Sequence, residues 1–380
     1  MTHRFRFVLL LLWLACACAL AGVPERPRFR VAGPAQGLPS SEIKALARDA
    51  DGYLWIGTVD GLARFDGVDM RVWRYAPGVD GGLPGNHVQA LLVDAADRVW
   101  VAVEGEGVSV LDASRQRFTH YRKAIHPSLA SDDVWALARQ GEAVWLGTYD
   151  GGLTRIDANG AMRHFSADRD GLPSDTILAL ATDAEGVLWV GTTAGLARRG
   201  GDGVFERVGL PGAEGEPMVY ALAIQPDGLW VGTSAGIWRH VRGGWVQPPW
   251  SPMFHRPNAM MALATDPRGD RWIGSQRGLW HQRGDAPPVP VPLGGPDIPR
   301  AVSALSTERD GALWVPLMGL GLGYLRSDWR QLAEFRGAVD GLQGGIYRAL
   351  GKAGDGGAWL GGLGGMVEHM DADGVVTALD

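Results

Sequence analysis

Eight times along this chain a tryptophan recurs in one pattern, at Trp55, Trp100, Trp145, Trp189, Trp230, Trp272, Trp314 and Trp359, in seven cases between two apolar residues and in seven with Gly or Ala two positions on. The intervals are all 41 to 45 residues. A fixed period of this length means that one supersecondary unit is repeated, because a single unit cannot bury its own apolar face and needs a like neighbour on each side. Eight units of about 44 residues use nearly all of the 380, so the array is the fold. The 56 glycines and 16 tryptophans belong to this period, and no Gly-X-Y repeat or low-complexity run accompanies them.

Within one unit the punctuation is that of short strands. Residues 43–48, 53–59, 62–65 and 70–75 are apolar runs separated by Asp-Gly, Asp-Gly and Gly-Val-Asp. Four strands per unit of this length is a propeller blade, a radial arrangement that leaves only short sheet edges. The expected fold is therefore an all-β propeller of eight repeats, either eight-bladed or seven blades with the start of a second propeller. The strand around Phe29 to Val31 is a candidate for closing the ring. Gly52, Gly186, Gly269, Gly311 and Gly356 lie three residues before their tryptophans and suit a turn with positive φ. Asp49, Asp94, Asp183 and Asp266 lie six before, where a short carboxylate can accept from the backbone of that turn. The third and fifth units, with Gln140-Gly141 and Asp227-Gly228, have altered turns. Gly57, Gly147, Gly191, Gly232 and Gly274 follow the tryptophan strand and are read as hairpin glycines. Pro316 stands in the corresponding strand of the seventh unit and implies an edge or a bulge there.

The beginning of the chain reads differently. Arg4 and Arg6, the uncharged apolar residues 8–20, and Ala19-Leu20-Ala21 before Gly22 fit a secretory signal cleaved after residue 21. The expected domains are a signal peptide at 1–21 and a propeller at 22–380, truncated or complete, exported to the periplasm or cell surface. The apolar run is shorter than the roughly 20 residues a spanning helix needs, and no later stretch of the mature chain could cross a membrane. Both cysteines, Cys16 and Cys18, lie in the signal, which closes off disulfides, thiolate metal sites and thiol nucleophiles in the mature protein. A formal charge of −6 argues against nucleic acid as a partner.

The units Gly171-Leu172-Pro173 through Leu188-Trp189-Val190-Gly191-Thr192 to Gly195-Leu196, and Gly37-Leu38-Pro39 through Leu54-Trp55-Ile56-Gly57-Thr58 to Asp60-Gly61-Leu62, resemble the two-component regulator propeller repeat. The resemblance runs over residues 28–380. It implies an exported sensor domain, one that usually pairs two seven-bladed propellers with a β-sandwich, a membrane helix and a histidine kinase or diguanylate cyclase, and that often recognises oligosaccharides. The chain has no sandwich, spanning helix, kinase or cyclase motif, so the expected function is ligand sensing without an output module in this chain and without catalysis, a kinase or cyclase being a C-terminal or separate partner.

Two enzyme classes with similar blades were weighed. The sialidase turn differs by one residue in spacing, and no arginine triad or paired carboxylate can be assembled. The resemblance to streptogramin lyases requires histidines and a divalent metal; His87, His126 and His255 fall in loops between blades, whereas the others follow strand patterns. A lyase-like enzyme and a stand-alone secreted binding protein are thus the alternatives. No cofactor or metal site is expected. The loops that join blades, and the hairpins after the tryptophan strands, mix aromatic and hydrogen-bonding groups suited to sugar hydroxyls or an anionic saccharide. They nominate Asp60, His87, Glu104, Tyr149, Asp150, Tyr220, Asn258, Arg277, Arg300 and Tyr347 as ligand-binding residues.

Overall fold

The computed structural model describes residues 27–78, 81–201, 203–242, 244–293, 301–331, 341–343, 346–372 and 374–379. The expected signal sequence at 1–21 and the candidate Arg300 lie outside them. The chain forms two compact units, Phe29–Ser327 and a second that contains Asp328–Asp380.

The first unit is a ring of seven four-stranded antiparallel sheets. Blade one is β2 (Ile43–Arg48), β3 (Leu54–Thr58), β4 (Gly61–Phe65) and β5 (Met70–Trp73), numbered from the axis outward after the short β1 (Arg30–Ala32). Blades two to six repeat it as β6–β9, β10–β13, β14–β17, β18–β21 and β22–β25, whose inner strands are Val88–Val93, Val134–Gln140, Ile177–Thr182, Val219–Gln225 and Met260–Thr265. Blade seven is β26 (Ser306–Thr307), β27 (Leu313–Leu317), β28 (Gly321–Leu325) and, as its outer strand, β1. Val31 of β1 sits opposite Gly323 of β28, so the first strand of the unit completes the last blade. Arg48 of blade one pairs with Glu308 of blade seven, and Phe65 meets the Trp314 ring edge-on at 5.5 Å. Seven blades, rather than eight, close the ring.

The repeated tryptophan is the wedge between blades. Trp145 of blade three packs on Ile177, Leu188 and Val190 of blade four, and Trp55, Trp100, Trp189 and Trp230 pack likewise on the blade that follows. In six of the repeats the indole N–H also has an acceptor at the turn before its strand. Asp49, Asp94 and Asp183 accept at 2.7–2.8 Å, and Glu308 at 2.6 Å. In blades three and five that turn shrinks, and Gln140 and Asp227 accept at 2.9 Å instead. The carboxylates therefore serve two masters: Asp49 Oδ1 caps the turn by accepting from Tyr53 N, as the sequence suggested, while Oδ2 takes the indole.

The glycines after the tryptophan are not hairpin residues. Gly57, Gly147 and Gly191 lie inside strands, and a Cβ there would fall 2.5–2.6 Å from Val88, Ile177 and Val219, the first inner-strand residues of the next blade. They are small because the blades approach closely. The hairpin is instead clasped by the following hydroxyl: Thr58, Thr148, Thr192 and Thr233 donate to the glycine carbonyl that opens the next strand at 2.8–3.0 Å. Pro316 lies in β27 opposite Leu322, and the ladder from β27 to β26 ends at Trp314; a proline has no N–H to extend it. Blade seven accordingly has a two-residue inner strand where the other six have six or seven.

The second unit contains one sheet of the same kind, β29 (Tyr347–Lys352), β30 (Ala358–Gly362), β31 (Val367–Met370) and β32 (Val376–Leu379). Its period tryptophan, Trp359, is 38% exposed and Leu350 is 78% exposed, in contrast to the buried tryptophans of blades one to six. No helix among the described residues is long and apolar enough to cross a membrane.

Candidate functional site

The ring has two ends. At one, the short turns between first and second strands carry the indole acceptors; at the other, the connections between blades meet the hairpins between second and third strands. Of the ten residues nominated from the sequence, the eight described in the first unit lie in the loops and strand starts of the second end, and two regularities of the backbone place them.

The first is a β-bulge near the start of each inner strand of blades one to six, where the register slips by one residue. A bulge turns its extra side chain out of the ladder. The bulged residues are Lys44, Gln89, Trp135, Leu178, Tyr220 and Met261, while the residues that flank each bulge pack into the blade faces. The second is a backbone bond from the hairpin to the residue preceding the inner strand: Val59 N to Glu42 O, Glu104 N to His87 O, Tyr149 N to Asp133 O, Thr193 N to Thr176 O, Ser234 N to Met218 O and Gln276 N to Ala259 O, all 2.9–3.2 Å. These two sets form an inner and an outer circle of side chains around the mouth of the channel.

On this frame Tyr220 belongs to the inner circle, and Glu104 and Tyr149 to the outer. Asp60, Asp150 and Arg277 are hairpin residues just beyond it. His87 pairs through Nδ1 with Glu104 Oε2. Lys44 donates to Glu42 at 2.7 Å and holds that carboxyl below its ordinary range, with a smaller contribution from its charge. Asp60 accepts from Asn86 Nδ2 at 3.2 Å and lies 3.3 Å from Arg74 Nε. Asn258 is a different matter. It is buried, its Nδ2 donates to Met253 O at 2.8 Å and its Oδ1 accepts from Ser275 Oγ at 2.8 Å, so its amide clasps the loop before blade six. Tyr347 lies in the second unit, where its hydroxyl meets the buried Glu368.

The most exposed aromatic feature of the mouth involves a residue the sequence reading did not nominate. Trp135, the bulge residue of blade three, stacks on Tyr149 at 4.7 Å with an interplanar angle of 29°. The two are 38% and 47% exposed. The Trp135 indole donates to Asp133 Oδ1 at 2.9 Å, which orients the ring. The signal was present as a tryptophan out of phase with the eightfold period, but its direction depends on the bulge. At the equivalent positions of the other five bulged blades, no blade has aromatic residues on both circles, so the pair is not something the fold requires.

The histidines do not gather. His87 is paired with Glu104, His126 packs on Tyr121 at 5.2 Å, and His255 Nδ1 lies against Pro252 O. Among the described residues no group of three or more His, Cys, Asp or Glu side chains could hold a metal ion. The larger cavities lie at the opposite end of the ring or in the channel, and none is lined by a nominated residue. One of about 730 Å³ opens between blades four and five, where Asp227 and Gly228 belong to the shortened turn. Another of about 460 Å³ lies beside the other short turn, at Gln140 and Glu142.

The architecture defines a seven-bladed β-propeller closed by its own first strand, with a polar and aromatic mouth. The model of the two-component regulator propeller family matches two segments of it, residues 37–60 and 171–194. The fold is similar to the extracellular domain of the BT3049 hybrid two-component system from B. thetaiotaomicron, at TM-score 0.77 and 18% identity over 93% of this chain and 49% of that one. It is also similar to that of BT4673 from the same organism, at 0.65 and 20% over 91% and 46%. The chain thus spans about half the length of these structures. Virginiamycin B lyase from Staphylococcus aureus shares the fold at 0.60 and 13% identity, over 79% of this chain and 98% of the enzyme. Likenesses at these identities concern the fold and leave function to the site. None of the curated proteins matches this sequence.

Proposed function

We propose that this chain is the ligand-binding propeller of an exported signalling receptor, that it takes an oligosaccharide or another small extracellular ligand at the mouth of the seven-bladed ring, and that it performs no chemistry on it. The observation that carries this reading is the exposed, stacked Trp135–Tyr149 pair. Exposed aromatic faces cost hydration free energy, and a flat pair oriented by a hydrogen bond offers a surface for the apolar face of a sugar ring or a comparable ring. Polar groups that fix orientation stand around it: Asp133, Asp150, Glu104 and His87. Tyr220 and Arg277 extend the same mouth toward blades five and six. Export is supported by the character of residues 1–21, and signalling by the repeat family and the extracellular domains of similar fold. A kinase or cyclase module is the expected partner. The lyase likeness is one of fold alone, and histidines with separate local partners give catalysis no common centre.

The test is calorimetric titration of a panel of oligosaccharides against the wild type, Trp135→Ala and Tyr149→Ala. Loss of an aromatic anchor is expected to weaken binding at least about tenfold. If the wild type binds a glycan and both variants bind it equally well, the mouth is not the site. Product formation during the titration, lost in His87→Ala with Asp150→Ala, would establish an enzyme instead.

A further inference from the structure

Given that reading of the mouth, we infer that the ligand of the Trp135–Tyr149 platform is cationic, an oligosaccharide bearing protonated amino groups rather than the anionic saccharide the mixed residue list suggests. The carboxylates beside the platform in sequence, Asp132, Asp133 and Asp150, outnumber the cations without an ionic partner at this sector, Lys123 and Arg169. Asp133 and Asp150 adjoin its two rings in sequence, and neither has an ionic partner among the described residues; Asp150 has no hydrogen-bond partner there either. Asp133 commits one oxygen to the Trp135 indole and keeps the other. Asp132 accepts only backbone N–H, from Lys123 at 2.7 Å.

Of the cations at the same end, Arg169 meets only neutral groups, Ser166 Oγ at 3.0 Å and His164 Nδ1 at 3.3 Å, and the others near the platform are engaged. Arg122 pairs with Glu106 at 2.5 Å, the Lys123 ammonium donates to Ala130 O at 2.9 Å, Lys44 pairs with Glu42 at 2.7 Å and Arg74 with Asp60 at 3.3 Å. An anion placed on the platform would therefore meet unpaired negative charge at close range. A protonated amine would meet both the carboxylates and the π faces of an indole and a phenol, and these two attractions act in the same direction. Arg277, the exposed cation of blade six, belongs to another sector of the mouth.

Three probes of similar length separate the possibilities: a glucosamine oligomer, its N-acetylated counterpart and an oligogalacturonate, titrated into the full chain at about pH 6, where the primary amines are protonated. The glucosamine oligomer is expected to bind at least about tenfold more tightly than the neutral one, and the uronate not to bind. Asp133→Asn with Asp150→Asn is expected to reduce the first affinity to that of the neutral oligomer. Raising salt from about 0.05 to 0.5 M is expected to weaken only the cationic probe. Equal affinity for the cationic and neutral oligomers, lost in Trp135→Ala, overturns the charge preference and leaves the mouth as the site. Binding of any probe that Trp135→Ala leaves unchanged overturns the mouth and the preference together, as does binding of none. Far-ultraviolet circular dichroism verifies the fold of each variant, and Trp135→Phe is expected to retain most of the affinity.

Discussion

A single carboxylate shows how much one residue does in this repeat. Asp94 accepts from the Arg98 backbone at 2.9 Å, from its guanidinium at 2.7 Å and from the Trp100 indole at 2.8 Å. Burial on its own raises the carboxyl, but these donors together outweigh it and hold the group below its ordinary value. Asp227 has the same balance, with Trp230, Arg271 and Arg239 as donors. A carboxylate whose folded pKa is depressed contributes stability that is complete above its unfolded pKa of about 3.9 and is lost as pH falls through the folded value. Urea unfolding is therefore expected to give a midpoint that is flat near neutrality and declines below about pH 4. Asp94→Asn is expected to lower the midpoint at pH 7 and to flatten that acid decline. The turn bond of these aspartates was readable from their spacing. Their bond to the indole was not, because it needs the hairpin geometry that brings a side chain back across six residues.

At the level of the blade, small residues decide the spacing. A Cβ on Gly147 would lie 2.5 Å from Ile177 Cγ2, inside van der Waals contact, on a surface that holds Trp145, Leu153 and Phe165 in the same cluster. Gly147→Ala is expected to cost about 1–3 kcal/mol as an overpacking change. Ile177→Ala alone leaves a cavity and is expected to cost about 2–5 kcal/mol. The double variant is expected to cost less than the two together, since each relieves the defect of the other, and a double-mutant cycle in urea measures this. Strand positions were close to correct from sequence: 43–48 and 62–65 were expected, and Ile43–Arg48 and Gly61–Phe65 are found. The reason for Gly147 was misread, because its constraint comes from a residue 30 positions later that only the neighbouring blade brings near.

For the whole molecule the decisive contact is a strand pairing of three residues. Three residues of β1 occupy the outer edge of blade seven, and the ring closes within Phe29–Ser327. A chain starting at Pro34 is expected to lose roughly 2–4 kcal/mol, the order of two or three ladder hydrogen bonds with their packing. A chain ending at Ser327 is expected to keep the main unfolding transition of the ring at its original temperature, as differential scanning calorimetry would report. An eight-bladed ring would instead lose that transition when its last blade is removed.

The eightfold period by itself determined the blade, its four strands and the packing role of its tryptophans, because these depend on residues within about 45 positions of one another and on a pattern written eight times. The end of the ring that carries the candidate residues was also determined, since it follows from which loops join which strands. Tertiary structure alone decided the number of blades in the ring, the burial of Asn258 and the emergence of Trp135 at the mouth. Closure is a pairing between strands about 290 residues apart, for which no local pattern exists. The direction of a bulged side chain depends on how its partner strand is registered, and a slip of one residue exchanges a buried face for an exposed one.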